Sequence, residues 1–350
     1  MQISKQQVKF DTVLSRCDNM KYDVLTTDSA GTDTSLATAE DGTCSMTASQ
    51  ILTELGIDHQ TDVPLAPLTW YGVGGHAECL AKPTDEAQLA SLMQKCAQYQ
   101  IPVRILGSGA NLLVSDAGVR GVVVRLEHPN FSQINIDGTK VTVGAGYDLA
   151  KLVLDTAREG LAGLEVLAGI PASVGGAVRM NAGGKFGEIG PVVTKVRVMD
   201  ESGEIYERYR DDLVFGYRKS NIKALVILDV EFDLSEDDPN QLMKQVKEIF
   251  MYKKNTQPLA DDSAGCAFKN PLKNENDANP YLDYSAGKLI DMAELKGYTI
   301  GGASISQRHA NFVVAGDNCT ATDIINLLNH ITQTVLEKYG VRLKHEIVIW

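Results

Sequence analysis

The chain has 350 residues, 44% hydrophobic, 22% charged and 6% aromatic, the usage of ordinary globular domains with enough apolar content for two or three cores. This excludes a disulfide mini-protein and disorder throughout. With 33 Lys and Arg against 45 Asp and Glu, the net charge of −12 repels polyanions, so neither nucleic acid nor an anionic membrane is expected as a general partner.

No apolar run approaches the ~20 residues of a spanning helix, and the opening MQISKQQVKF lacks the apolar segment of a secretory signal. The chain therefore reads as cytoplasmic, without membrane insertion, and a monomer is favoured. Cys17, Cys44, Cys79, Cys96, Cys266 and Cys319 form no CxxC, and the histidines are equally scattered, so neither a disulfide framework nor a metal site is expected.

Residues 26–49 are rich in Thr, Ser, Ala and Asp without an apolar period, and residues 1–47 are expected to form a low-complexity extension. QILTELGI predicts a short amphipathic helix ending near Gly56. HAECLAKP reads as a strand, and TDEAQLASLMQKCAQY as a helix with Thr84 as its N-cap. The strand VRILG leads into the loop SGAN, followed by LLVSD and GVVVRL. INIDGTKVTVGAG carries an Asp-Gly turn between two alternating runs, a strong hairpin signal. YDLAKLVLDTAREG predicts a helix with Leu149, Leu152 and Val153 on one face and Gly160 ending it.

Residues 160–190 hold 9 of the 31 glycines, a density that lets backbone approach a ligand or turn tightly. VRVMDESGEIYERY predicts another hairpin and ALVILDVEFDL a further strand. Asp238-Pro239 opens a helix with Leu242, Val246, Ile249 and Phe250 on one face, and a domain boundary is expected near 235. A short helix around AGKLIDMAEL and a strand NFVVAG follow. The long helix from Ala321 is expected to be capped by Thr320, to bury Ile324, Leu327, Leu328, Ile331 and Val335, and to stop at Gly340. LKHEIVIW is expected to close the chain as one strand, with Lys344, Glu346, Val348 and Trp350 on one face and Leu343, His345, Ile347 and Ile349 on the other.

The Gly107-x-Gly109 loop can aim backbone N–H groups at an anion. It lacks the third glycine of the dinucleotide fingerprint and runs into a strand, so a Rossmann domain is disfavoured, and no P-loop motif exists. Two glycine-rich loops favour a large nucleotide ligand. Cys266, in SAGCAFKNP, is a proton donor, a nucleophile or a buried small hydrophobe. Glu346 is either an exposed edge residue or a partly buried acid with a raised pKa. Arg218 offers a planar fork suited to a carboxylate, or is an ordinary surface arginine.

Together these segments resemble the UDP-N-acetylenolpyruvoylglucosamine reductases, the MurB-type flavoenzymes of peptidoglycan precursor synthesis. The resemblance covers roughly residues 48–350. It is carried, in order, by LTWYGVGG (68–75), LGSGANLLVSD (106–116), GLEVLAGIPASVGGAVRMNAG (163–183), FGYRKS (215–220), AGCAFKNP (264–271), AGKLID (286–291), IGGASIS with HANFVV (300–314) and LKHEIVI (343–349).

The resemblance implies an α+β fold: an FAD-binding domain of the vanillyl-alcohol-oxidase type over 48–235, with lobes of about 48–126 and 127–235. A smaller α+β substrate-binding domain follows over 236–350, its last strand packing back toward the active site. It implies FAD contacts from Tyr71, Gly72, Val73, Gly107, Ser108, Gly109, Ala110, Asn111 and Leu112. The second loop would add Gly169, Ile170, Pro171, Val174, Gly175, Gly176, Ala177, Asn181 and Gly183.

NADPH is implied as the electron donor and a UDP-sugar enolpyruvate as the substrate, with hydride passing to C3 and a proton to C2. The resemblance makes Cys266 the proton donor, where serine is the more familiar residue, and makes Arg218 and Glu346 the groups that stabilise the enolate. Tyr217, Lys253, Lys254, Asn270 and His309 become substrate-binding residues. The interval SEDDP after residue 234 matches the branch that lacks an inserted tyrosine loop. Two other readings stay open: an FAD oxidase of the same superfamily, and a flavin-binding protein without catalysis.

Overall fold

The computed structural model describes residues 46–273 and 277–350; the expected extension, but for its last two residues, lies outside them. Helix Ala48–Glu54 starts at Thr47, which exchanges side-chain and backbone hydrogen bonds with Gln50 in a capping box. A four-stranded sheet follows, in the order Asp58–Pro64, His76–Lys82, Val119–Val124, Val103–Ile105. Its first pair is antiparallel and the other two are parallel. Cys79, Ala81, Val122 and Val124 pack beneath Leu52, Leu89 and Leu92, while Ala77, Leu80, Val119 and Val123 pack against Leu65, Leu106 and Leu112. Burial on both faces explains why GVVV is continuously apolar. Helix Glu86–Gln98 is capped by Asp85, not Thr84, because the Thr84 hydroxyl is engaged with the Gln88 side chain while the Asp85 carboxylate takes the Gln88 N–H.

The second lobe is an antiparallel five-stranded sheet in the order Ile205–Tyr209, Val193–Met199, Val226–Asp233, Lys140–Gly144, Ile134–Asp137. Asp137 pairs with Lys140, so the two turn residues are Gly138 and Thr139, with Gly138 at φ +59. Helices Leu149–Arg158 and Pro239–Thr256 share this lobe's core. The second helix is a correction to the expected boundary near 235: Leu242, Val246 and Ile249 are buried with Leu152, Leu164 and Phe232. Phe250, expected in the buried stripe, is 45% exposed, and Lys253 continues the stripe instead.

The remaining core joins helix Ala286–Met292, helix Ala321–Tyr339 and the three-stranded sheet Thr299–Ile300, Ala303–Ile305, Val313–Ala315. The long helix has the expected cap, stripe and stop: Thr320 caps it, Ile324, Leu327, Leu328, Ile331 and Val335 are buried, and Gly340 takes φ +67. The terminal strand does not form as one. Lys344–His345 runs antiparallel to Phe268–Lys269, and Val348–Ile349 runs parallel to Leu112–Leu113. The change of partner resets the alternation, so Leu343 and Ile347 are buried while Ile349 is 38% exposed.

Asp116, at the end of the LLVSD segment, ties the long helix to the first lobe. Its carboxylate accepts from Ala321 N at 2.8 Å, Thr322 N at 2.9 Å and Thr322 Oγ1 at 2.6 Å. Partial desolvation raises its pKa, and these hydrogen bonds outweigh that and hold it below the ordinary value. Asp116→Ala should lower unfolding free energy by about 1 kcal/mol, since water replaces part of what an exposed cap supplies. A lowered folded-state pKa stabilises above the unfolded value and loses that effect as pH falls through the folded one. Urea titrations at pH 7 and pH 3 should therefore show the difference between the two proteins shrinking in acid, and equal differences would reject the carboxylate's role.

Candidate functional site

A cleft of ≈ 500 Å³ is lined from both lobes, by Leu106, Gly107 and Ser108 on one side and by Ala145, Gly146, Ser173, Gly175 and Gly176 on the other. Its walls are close-set backbone. A Cβ on Gly107 would lie 2.5 Å from Ser173 Oγ, and one on Gly175 would lie 2.8 Å from Ala145 Cβ. Gly176 is exposed on the wall and a Cβ there would meet only Ser173 Oγ, at 3.2 Å. A side chain at 176 would occupy the space itself. A cleft of this volume, walled by glycine and small residues, fits an extended dinucleotide.

Of the residues expected at the cofactor, Gly107, Ser108, Gly175 and Gly176 line this cleft. Gly109 turns the loop at φ +67, with its carbonyl accepting from Trp70 N. Asn111 reaches the C-terminal strand, donating from Nδ2 to the Glu346 carbonyl at 3.1 Å. Leu112 is in register with Val348. Gly72 is exposed beside Asp262, Val73 packs in the C-terminal core, and Ala110, Ile170 and Pro171 are half-buried. Gly169, at φ +75, lies against Phe250 and Lys253, and Gly183 is in register with Glu188.

Tyr71, Val174, Ala177 and Asn181 are at most 1% exposed. Val174 and Ala177 face the lobe core. Asn181, at φ +46, accepts from Gly190 N and donates to Gly216 O, both at 3.0 Å. It staples two loops behind the site.

The candidate catalytic side chains converge from three places. Phe215–Gly216 and Lys219–Ser220 form a hairpin whose two-residue turn is Tyr217–Arg218. Arg218 sits at φ +56, a left-handed conformation that costs a side-chain-bearing residue about 1–2 kcal/mol. The turn delivers its guanidinium to Glu346, with Nε 2.5 Å from Oε1, and lays it over the Tyr217 ring at 5.1 Å. The Tyr217 hydroxyl accepts from Asn270 N at 3.1 Å, and Asn270 Oδ1 accepts from Ala286 N.

Glu346 occupies the break in the terminal strand. Its N–H donates to Ala267 O at 2.8 Å, which sets it beside the Cys266 loop. Burial raises the Glu346 pKa, and the charge and hydrogen bond of Arg218 oppose that without cancelling it. Burial also pushes the Cys266 thiol up to about 12, with the Glu346 charge adding and the Arg218 charge subtracting. Cys266 is therefore a thiol throughout the physiological range.

Asn311 holds this loop and was not singled out from the sequence. It is 4% exposed, with Oδ1 accepting from Phe268 N, Nδ2 donating to Phe268 O, and its carbonyl accepting from Ala267 N. A polar residue inside the apolar run NFVV was the available signal. Ser173, the cap of helix Val174–Arg179 and a wall of the cleft, was likewise missed.

His309 accepts at Nδ1 from Asn311 N, and burial followed by the Lys296 charge lowers its pKa, so it is neutral. The two lysines separate. Lys253 is 6% exposed, donates to Ala168 O at 2.7 Å, and is lowered to about 8 by burial and then by Arg218. Lys254 is exposed, and its carbonyl accepts from Arg308.

A family model described as the C-terminal domain of UDP-N-acetylenolpyruvoylglucosamine reductase matches residues 257–350, and an FAD binding domain model matches residues 77–208. The UDP-N-acetylenolpyruvoylglucosamine reductase of Bacillus subtilis (strain 168) is 36% identical over 289 residues, covering 82% of this chain and 92% of the relative. The chain belongs to the UDP-N-acetylenolpyruvoylglucosamine reductase family.

The Heliobacterium modesticaldum reductase is 40% identical over 288 residues, 81% of this chain and 88% of its own. The crystal structure of the Thermus caldophilus reductase (MurB) superposes with a TM-score of 0.70 at 36% identity, covering 84% of this chain and 98% of that one. The fold is thus the mixed α+β one of the MurB family, with an FAD-binding domain of the PCMH type. The match to the FAD binding domain contains every cleft-lining residue except Leu225 and Ile227. The C-terminal match begins at 257, directly after the helix Pro239–Thr256 that packs into the second lobe.

Proposed function

We propose that this MurB-family chain reduces UDP-N-acetylglucosamine enolpyruvate to UDP-N-acetylmuramate in peptidoglycan precursor synthesis, with FAD in the glycine-walled cleft and NADPH as donor. The observation that carries the reading is the grouping of a protonated Cys266 with the Arg218–Glu346 pair, reached from the cleft through Asn111, three residues past Ser108. The chemistry that bound FAD supplies is two-electron transfer from NADPH to the enolpyruvyl double bond.

Gly107, Ser108, Gly175 and Gly176 hold the cofactor by backbone. Arg218 meets the charge that builds on the substrate carboxylate as the enolate forms, and Glu346 fixes the guanidinium and, when protonated, donates to the same oxygens. Cys266 holds a proton on Sγ and transfers it to C2. A free thiol would lose part of its protons near pH 9, and the burial of this one preserves the donor form. Lys253, with donor capacity beyond Ala168 O, and Tyr217, Asn270 and His309 face the sugar nucleotide. Free Cys79, Cys96, Cys266 and Cys319 are in keeping with work in the reducing cytoplasm. Among the described residues no helix is long and apolar enough to cross a membrane.

The test is a flavin spectrum followed without air. NADPH should bleach the bound flavin, and the enolpyruvyl sugar nucleotide should restore its colour faster than oxygen does in a parallel sample. Faster recovery with oxygen would replace this reading with the oxidase, and no recovery with the sugar would leave a flavin-binding protein.

A further inference from the structure

One face of helix Val174–Arg179 forms a wall of the cleft, and the other packs in the lobe core. Gly175, Gly176 and Arg179 share the cleft face at helical spacing, while Val174, Ala177 and Val178 are buried. Two positions on that face carry no side chain, which leaves room for a ligand, and the third carries a long cationic one. Arg179 is half-buried, and its guanidinium is fixed in place. Nη1 donates to Ile222 O at 3.2 Å, and Nη2 donates to Ala224 O at 2.7 Å and to Leu225 O at 3.0 Å.

This tether leaves the N–H on Nε and the second N–H on Nη1 free to donate, and its acceptors are all neutral carbonyls. The other charged groups on the cleft are engaged. Arg125 pairs with Glu127 at 2.7 Å, Glu127 also takes Lys82 at 2.9 Å, and the Asp148 carboxylate caps helix Leu149–Arg158 by accepting from Lys151 N at 2.8 Å. Among the described residues no carboxylate pairs with Arg179, and burial alone lowers its pKa. A cation withdrawn from water without a counter-charge is destabilising, so its place on the cleft asks for an anion there.

FAD carries its negative charge in one place, the diphosphate that joins its two halves. Resting on the placement of FAD in this cleft, we infer that Arg179 binds that diphosphate, adding charge and directed N–H bonds to the backbone of Gly107, Gly175 and Gly176. Hydrogen bonds from guanidinium to phosphate are stronger than neutral ones, and the planar fork suits phosphate oxygens. Because the three carbonyls fix the group before the ligand arrives, little side-chain freedom is lost on binding.

The test uses variants of the full chain with its cofactor. Arg179→Met should raise the FAD dissociation constant by about 10–100-fold, read from the fluorescence of flavin released on dilution. Arg179→Lys keeps a charge at the end of the side chain and should hold FAD more tightly than the methionine variant. Phosphorus-31 NMR at saturating FAD separates binding from bracing. At least one of the two diphosphate signals of bound FAD should be displaced in Arg179→Lys relative to the wild type, while the flavin absorption maxima keep their positions. Unmoved phosphorus signals would mean that Arg179 only ties its helix to the 222–225 segment, and would overturn the assignment whatever the stability of the variants. Should the methionine variant fail to fold, the lysine spectrum decides alone. Gly176→Leu, which puts a side chain into the cleft, tests the placement of FAD separately. Loss of FAD from Gly176→Leu together with unmoved signals in Arg179→Lys fails this contact alone, whereas full retention by Gly176→Leu fails the placement and the contact with it.

Discussion

Replacing Cys266 with alanine is expected to leave flavin reduction by NADPH within about twofold of the wild type and to slow reoxidation by the enolpyruvyl sugar by about 10²–10⁴-fold, the range for loss of a positioned general acid. The two half-reactions separate because, in the proposed role, the thiol acts after hydride transfer to the sugar and has no part in accepting electrons from the nicotinamide. The folding effect should be small: Cys266 is half-buried and its loop is held by Asn311, Ala267 and Phe268 backbone contacts that alanine preserves. Cys266→Ser should recover much of the rate, since a hydroxyl also carries a transferable proton. Stopped-flow absorbance at the flavin band resolves both phases. Equal slowing of the two would reject the proton-donor role, and so would a serine variant no faster than alanine.

Arg218→Met is the second large effect. Glu346 then keeps a buried carboxylate whose side chain is 13% exposed with no guanidinium beside it. The destabilisation at neutral pH should lie at the low end of about 3–5 kcal/mol, because both partners retain some water. Its pH dependence has a definite sign. Burial already raises the Glu346 pKa and Arg218 opposes that rise, so the variant's folded-state pKa moves further up. A raised folded-state value stabilises below the unfolded pKa and is lost as pH rises through the folded one. The variant's deficit should accordingly shrink as pH falls toward 5 and be fullest above the raised value. Sugar-dependent reoxidation should drop by about 10²–10³-fold, the scale for removing one transition-state charge donor. A deficit independent of pH would show that Glu346 stays protonated in both proteins, and an unaltered reoxidation rate would remove Arg218 from the reaction.

Several parts of the site were legible residue by residue. The GSGAN loop running into a strand disfavoured a Rossmann fold, and Leu112–Leu113 is that strand. Glu346, in the break of the terminal strand, lies against Arg218. Tyr71, Val174, Ala177 and Asn181 are buried, which the motifs did not show, because a motif names a segment and which of its side chains turn inward depends on what covers the other face. Phe250 and Lys253 exchanged places for a related reason. Helical periodicity places both near one face, and only the second lobe's packing selects the Lys253 side, where Ala168 O takes up the ammonium.

What the linear chain determined by itself was local: the helix cap at Thr320, the stop at Gly340, the glycine-rich loops, and the order of motifs that places the chain in its family. Those follow from backbone sterics and short-range hydrogen bonds, which neighbouring residues specify. The tertiary structure decided the ionisation of the site. Cys266 is held as a thiol, Glu346 is raised and Lys253 is lowered because segments 35 to 128 residues apart, such as Arg218 and Glu346, enclose them and strip away water. The energy of a charge depends on the dielectric and the charges around it, and no local pattern encodes those.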